Sequence, residues 1–257
     1  MNTAPQFFMW PDRALYLGPS FDPDAHRHHA VQMCVGVDGA FRISLGRGEL
    51  WHEARGALVG SEVTHQISSQ QTAMAFLYLE RECGDYRASL QYISSAEMCV
   101  LKADLDASLL DSLVNAGQGC TLPDAHQLSD RMLSFFGIQL TVKAAIDPRI
   151  ARVLAKLDQT PDAQCAGKEL ESIACLSSSR LQHLFRQQVG VPIRRYSLWL
   201  RLRRVLTRAA AGDTLMAAAH TAGFSDSAHF SRVFRTMFGI APSRLFSTGS
   251  AAMVSES

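Results

Sequence analysis

The stretch Asp213–Phe246, DTLMAAAHTAGFSDSAHFSRVFRTMFGIAPSRLF, constrains the fold more than any other part of the chain. Leu215, Ala218, Ala219 and Ala222 recur at i, i+3, i+4, i+7, which is one apolar helical face. Gly223 interrupts as a helix-ending residue in left-handed geometry does. Ser225 or Asp226 can cap a second helix by accepting a bond from an orphan N–H. Phe230, Val233, Phe234 and Met237 form the apolar face of that helix, and Arg232 and Arg235 lie off it. Gly239 stops the helix and Pro242 prevents its continuation. Two short helices around a Gly-containing turn, the second carrying exposed arginines, read as a helix-turn-helix. A plain helical hairpin would show the same periodicity, so the residues must carry the distinction.

Charge divides the 257 residues in two. Residues 1–146 hold 10 Lys/Arg and 16 Asp/Glu, net −6; residues 147–247 hold 15 Lys/Arg and 7 Asp/Glu, net +8. The overall +1 hides this asymmetry, which points to two domains with different partners. Arginine predominates in the basic half, as suits phosphate and base contacts. None of the six cysteines, Cys34, Cys83, Cys99, Cys120, Cys165 and Cys175, forms a C-x-x-C pair, so neither a zinc ribbon nor a redox motif is indicated. Buried or incidental thiols in a reducing cytoplasm are expected. The start, MNTAPQFFMWPDR, lacks the pattern of a signal peptide, and no apolar run reaches the ~18 residues of a membrane span.

Residues 1–102 alternate short apolar runs with turn residues. Strands are expected at Ala14–Leu17, Val31–Val37, Phe41–Leu45, Glu49–His52, Ala57–Val59, His65–Ile67 and Ala73–Leu79. Asp38-Gly39 between two runs signals a hairpin. Many closely spaced short strands suggest an all-β barrel or sandwich. His26, His28 and His29 cluster in DPDAHRHHAVQ, Gln32 follows, and His65 comes one or two strands later. H-x-H, an amide four residues on, and a later lone His resemble a cupin. That resemblance implies convergence of His26, His28, Gln32 and His65 inside a barrel, where imidazoles suit Zn, Fe or Cu. Gln32 stands where Glu is usual and the first cupin motif's glycines are largely missing. The favoured reading is therefore a His-rich loop with one His lining a ligand pocket. Trp10, Tyr16, Trp51, Phe76 and Tyr78 read as core or pocket lining.

Asp104 or Asp106 can start a helix through about Ala116, striped by Leu105, Leu109, Leu110 and Leu113 and ended by Gly117 and Gly119. A second helix after Pro123-Asp124 carries Leu128, Met132, Phe135 and Phe136 and closes at Gly137. These two helices can cap the β domain, form a dimer interface, or both.

Asp147-Pro148 starts the basic half with a helix striped by Ile150, Val153, Leu154 and Leu157. Residues 167–190 read as a first helix-turn-helix: Lys168–Cys175, a turn at Leu176-Ser177, then Ser178–Val189 with Leu181, Leu184 and Phe185 inward. Pro192–Ala211 reads as a linking helix in which Tyr196, Leu200, Val205 and Leu206 alternate with six arginines, some expected to pair internally.

The residues of both units resemble the AraC/XylS transcription regulators. In AGFSDSAHFSRVFRTMFGIAPSRLF the matching positions are Gly223, Phe224, Ala228, Phe230, Arg232, Phe234, Gly239 and Pro242; Ala228 stands where Ser is usual. In LSSSRLQHLFRQQVGVPIRRY they are Leu181, Phe185, Gly190, Val191 and Pro192. Glu171 stands where a small Ala is usual and Cys175 where Gly is frequent, so the first unit is expected to be less rigid or its helix shifted by a residue. By family position Ser179, Gln182 and His183 would face bases in the first recognition helix, and Ser227 and Arg232 in the second. Arg186 and His229 would touch phosphate, and Arg180 remains outside with them. Capping for the two serines, and an internal ion pair for Arg232, are the alternatives.

The expected architecture is an α+β two-domain chain. Residues 1–140 form a cupin-like β-barrel with helices for sensing and dimerisation. Residues 147–247 form an all-α domain with two helix-turn-helix units joined by a linking helix, and residues 248–257 a disordered tail. The function implied is a bacterial, cytoplasmic, nucleoid-associated regulator that binds double-stranded DNA sequence-specifically. It would sense a small molecule, form a homodimer, engage RNA polymerase and need no membrane. No cofactor is expected beyond a divalent metal in the cupin-like domain, itself the lesser expectation. The rival reading is a metal-dependent cupin enzyme fused to a DNA-binding module, although no acid/base pair or nucleophile constellation stands out.

Overall fold

A computed structural model describes residues 5–10, 13–19, 22, 24–28, 30–46, 50–79, 97–102, 105–117, 119–138, 146–160, 167–189, 191–239, 241–243 and, for the backbone, 251–254. The strands are β1 (Gln6–Met9), β2 (Arg13–Pro19), β3 (Val31–Gly36), β4 (Phe41–Leu45), β5 (Leu50–Ala54), β6 (Gly56–Val59), β7 (His65–Ser68), β8 (Ala73–Leu79), β9 (Met98–Leu101) and β10 (Ala251–Val254). The helices are α1 (Ala107–Gly117), α2 (Leu122–Phe135), α3 (Pro148–Gln159), α4 (Gly167–Ala174), α5 (Ser178–Val189), α6 (Ile193–Ala210), α7 (Leu215–Thr221) and α8 (Ser227–Phe238). Two compact units result, one of residues 1–142 with 231–257, the other of residues 143–230.

In the first unit the strands form a seven-stranded sheet, β10-β1-β2-β8-β3-β6-β9, and a three-stranded sheet, β5-β4-β7. Their described pairings do not close into a ring, so the expected barrel is present as two sheets. Strands β3 and β8 are buried along their whole length, as is typical of strands covered on both faces. Asp38-Gly39 does not make the expected hairpin: β3 pairs with β6 and β8, whereas β4 pairs with β5 and β7. The Asp38 carboxylate instead accepts a bond from the Ala73 N–H, so the turn carries the chain from one sheet to the other. Sequence reading also missed β1 and β9, which are only four residues long. The tail expected to be disordered contributes β10, parallel to β1 with Gln6 opposite Ala251.

Helices α1 and α2 cover the large sheet. Asp106 caps α1 through the Leu109 N–H, and Leu105, Leu109 and Leu113 join Leu15, Met33, Leu58 and Leu77 in one apolar core with Leu128 and Met132 of α2 and Phe136 just after it. A capping box between Thr121 and Asp124 fixes the start of α2. Two buried side chains of the sheet tie the helices down: Gln6 Nε2 donates to the Ala116 carbonyl (2.7 Å), and Arg13 reaches Ser129 (2.8 Å) and Asp130 (2.6 Å).

The second unit begins at α3, capped by Asp147 with Pro148 in the first turn. Ile150, Val153 and Leu157 meet Leu170, Ala174, Leu181, Phe185, Val189, Ile193 and Leu200 in its core. Four of the six α6 arginines are committed within the unit. Arg203 pairs with Asp158, Arg204 donates to the carbonyls of Leu157 and Asp158, Arg208 pairs with Asp213, and Arg201 donates to the Gly223 carbonyl.

Candidate functional site

Each of the two turns expected in the basic half is built by the same backbone closure. At the end of α7 the Gly223 N–H reaches the His220 carbonyl and the Phe224 N–H reaches Ala219, with Gly223 at φ +83°. At the end of α4 the Cys175 N–H reaches Ser172 and the Leu176 N–H reaches Glu171. These are the paired bonds of a Schellman ending, which places one residue in the left-handed region. Cys175 fills that place at φ +52° without being glycine. Helix α4 ends one residue earlier than the sequence suggested, because Cys175 belongs to the closure rather than to the helix. Glu171 is half-buried and lines an open cavity of about 420 Å³ with Arg194 and Arg201. The carboxylate thereby avoids the fully buried helix crossing that would be costly.

Helix α5 buries Leu181, Phe185 and Val189 and leaves Ser179, Arg180, Gln182, His183 and Arg186 exposed. Ser179, Gln182, His183 and Arg186 fall at i, i+3, i+4, i+7, so they form one continuous outer stripe. None of the four side chains has a hydrogen bond or ion pair among the described residues.

The next turn leads into α8, whose cap is Asp226, its carboxylate accepting from the His229 N–H (2.6 Å). His229 is half-buried, with Nδ1 3.3 Å from the Ser225 hydroxyl and its ring edge-on to Phe224. Its ring is thus engaged in bracing the turn. Ser227 and Arg232 are exposed, as are Ala228, Arg235 and Thr236. Arg235, read from the sequence as an exposed arginine but not as a DNA contact, completes a stripe with Ala228 and Arg232; its spacing from Arg232 could have shown it. Phe230, Phe234, Met237 and Phe238 are buried.

A second constellation lies in the first unit. His26 and His65 are joined by a pair of backbone hydrogen bonds (3.0 and 2.9 Å). The ring centroids of His26, His28 and His65 are 4.4, 4.9 and 5.6 Å apart. One ring nitrogen of each lies within 4.8 Å of the others. Gln32 Oε1 sits 2.8 Å from His28 Nε2 and 2.9 Å from His65 Nε2. Gln32 Nε2 donates to the Tyr78 oxygen (3.2 Å), and the Tyr78 hydroxyl donates to the Phe238 carbonyl at the end of α8 (3.2 Å). All four residues named together from the sequence therefore meet, and Tyr78, read there only as lining, joins them. His29 lies outside the described residues. Burial is the main cause that lowers all three imidazoles: His28 falls to about 4, helped by the charge of His26, His65 falls well below the usual value, and His26 falls less far. The rings are neutral at physiological pH. Gly239 stands directly over His26, and a Cβ there would lie 2.2 Å from His26 Nε2.

Comparison with known proteins agrees with the basic half most closely. Residues 170–248 match a helix-turn-helix domain family. The chain is 27% identical over 146 residues to the arabinose operon regulatory protein of Escherichia coli, covering 53% of this chain and 49% of that one, so it spans about half the length of that relative. It is 28% identical over 230 residues to the probable transcriptional regulator LumQ of Photobacterium leiognathi, covering 85% and 90% of the two chains. Crystal structures of Vibrio cholerae ToxT share the fold. An apo variant superposes with TM-score 0.58 at 13% identity over 92% of this chain and 97% of that one. A fatty-acid-bound form gives TM-score 0.52 at 12% identity over 96% and 94%. Residues 170–248 thus carry a helix-turn-helix domain, with its motif positions in place, and the relatives that the chain resembles are named as transcription regulators.

Proposed function

We propose that the chain is a sequence-specific DNA-binding transcription regulator whose first unit senses a small molecule. One contrast carries the DNA reading. Four of the six arginines of α6 are spent on internal partners, whereas the stripe Ser179, Gln182, His183 and Arg186 on α5, and Arg232 and Arg235 on α8, face solvent with side chains unpaired among the described residues. Gln182 suits adenine N6/N7 and Arg232 suits guanine O6/N7. Arg186 and Arg180 suit phosphate, which positions without specifying, whereas the His229 ring braces the turn. Selection of bound sequences from random DNA by the full chain should converge on one motif. Recovery of unenriched DNA would overturn the reading in favour of an architectural binder.

The names of the relatives support a regulator rather than an enzyme. The buried imidazoles, the feature that favours a cupin-like enzyme, serve a sensor equally well. A homodimer through α1 and α2 and a contact with RNA polymerase complete the proposal. Sedimentation of the full chain with and without DNA tests the first, and transcription from a promoter bearing the selected motif tests the second.

A further inference from the structure

We infer that His26, His28, His65 and Gln32 bind a divalent transition-metal ion, and that occupancy decides which way the Gln32 amide faces and so whether the end of α8 is held. The regulatory half of this inference rests on the DNA-binding reading; the metal half does not.

The argument is a count of protons. His26, His28 and His65 each have Nδ1 at 2.9–3.0 Å from a backbone carbonyl, those of Asp24, Ala30 and Val63. A carbonyl only accepts, so each Nδ1 carries the proton. Three imidazoles this close, two of them fully buried, cannot each hold a charge, so lone pairs are left at Nε2. A second bond from Nδ1 to a carbonyl is also the arrangement that fixes the tautomer of a metal-binding histidine. Gln32 Oε1, another acceptor, faces two of those lone pairs at 2.8 and 2.9 Å. Acceptors therefore converge with no hydrogen between them, in a place where Gln32, His28 and His65 are at most 2% exposed.

Two arrangements resolve this. A cation can take the lone pairs of the imidazoles and of Gln32 Oε1. The amide NH2 then stays on the Tyr78 oxygen, and the Tyr78 hydroxyl donates to the Phe238 carbonyl. Alternatively the amide turns over and its NH2 donates to His28 and His65. Gln32 Oε1 then faces Tyr78 and takes the hydroxyl proton, and the Phe238 carbonyl loses its donor. Side-chain amides have these two orientations available, with the network choosing between them. The ion binds only the first, so it shifts the population toward the state in which the last turn of α8 is tied. Gly239, pressed against His26 immediately after Phe238, puts a metal ligand against the same turn. Three imidazoles and an amide oxygen, all neutral, suit Zn, Ni, Co, Cu or Fe(II) rather than Mg or Ca.

The test uses the full chain, stripped with a chelator and titrated with Co(II) in visible absorption, then with Zn(II) in competition. A site for Fe(II) holds Co(II) more tightly, so the cobalt probe covers both. One ion per chain is expected, with intensified cobalt bands. His26→Ala, at a half-exposed position that should survive the change, should weaken binding by at least the ~10–100-fold that loss of an outer partner costs. Gln32→Glu should tighten it by about 10-fold or more by adding an anionic oxygen, since ligand charge and type set affinity. Tyr78→Phe takes away an outer hydrogen-bond partner of Gln32 and should still bind, about 10-fold more weakly, so DNA binding is compared with each variant saturated in Zn(II). On the DNA motif recovered by selection, Zn(II) should change the affinity of the wild-type chain and not that of Tyr78→Phe.

Absence of Co(II) and Zn(II) binding above the His26→Ala level would overturn the site. Metal binding with no effect on DNA affinity, or with the same effect in Tyr78→Phe, would overturn the switch. A chain that binds metal and no DNA would sink the regulatory half together with the reading it rests on, while the metal site stood.

Discussion

Cys175→Gly should stabilise the second unit. Cys175 sits at φ +52°, where a side chain costs about 1–2 kcal/mol relative to glycine. Its side chain is exposed and its thiol makes one weak contact, 3.5 Å to the Ser172 carbonyl, so truncation removes little. Against the relief stands the larger entropy glycine loses on folding, about 0.5–1 kcal/mol. The difference leaves a net gain of roughly 0.5–1 kcal/mol. Native-state hydrogen exchange of the α5 amides measures it within the unit concerned, as slower exchange by the corresponding factor of about 2–5. Cys175→Ala is the control. It discards the thiol but keeps the backbone penalty, so it should leave exchange nearly unchanged. Equal protection from alanine and glycine would show that the thiol, and not the left-handed backbone, was the burden; faster exchange in Cys175→Gly would refute the reasoning altogether.

Phe185→Ala removes a fully buried ring packed edge-on to Tyr196 and should cost about 3–5 kcal/mol, seen as early loss of helical signal on heating together with loss of DNA binding. Thr214→Ala deletes the side-chain bond to the Ala217 N–H at the start of α7 and should cost about 1 kcal/mol in urea unfolding. Arg232→Ala should lose about 1–3 kcal/mol of discrimination at one base pair of the selected motif, whereas Arg186→Ala should weaken all sequences alike and lower the salt slope by about one. A panel of single-base variants at two salt concentrations distinguishes them, and a uniform loss from Arg232→Ala would assign that residue to phosphate.

The helical half was legible because its signals are local. Asp106, Asp147 and Asp226 cap the helices they precede, and the apolar stripes face the cores as their period dictates. The left-handed role of Gly223 followed from its place, and the same place at Cys175 was visible only as a departure from family pattern. The sheets were harder. Asp38-Gly39 announces a turn, but which strands the turn joins depends on β6 and β8, far away in sequence. Four-residue strands such as β1 carry too few residues to show a period. At the histidine cluster the residue types were readable, whereas the role of Tyr78 was not: it arises because Gln32 lies opposite Tyr78 in the β3–β8 register, and Tyr78 reaches a carbonyl 160 residues away in sequence.

Gly239 obeys two independent constraints, and mutational libraries would see them as epistasis. Its φ of +74° penalises any side chain, and the space a Cβ would need is taken by His26. The steric part vanishes if position 26 is made small, whereas the backbone part does not. Gly239→Ala in the wild-type background and in a His26→Ala background should therefore differ, with the second cost smaller but still present. Positions 213 residues apart in sequence would then behave as one unit under selection, and a variant at 239 would be reached more easily after a change at 26 than before it.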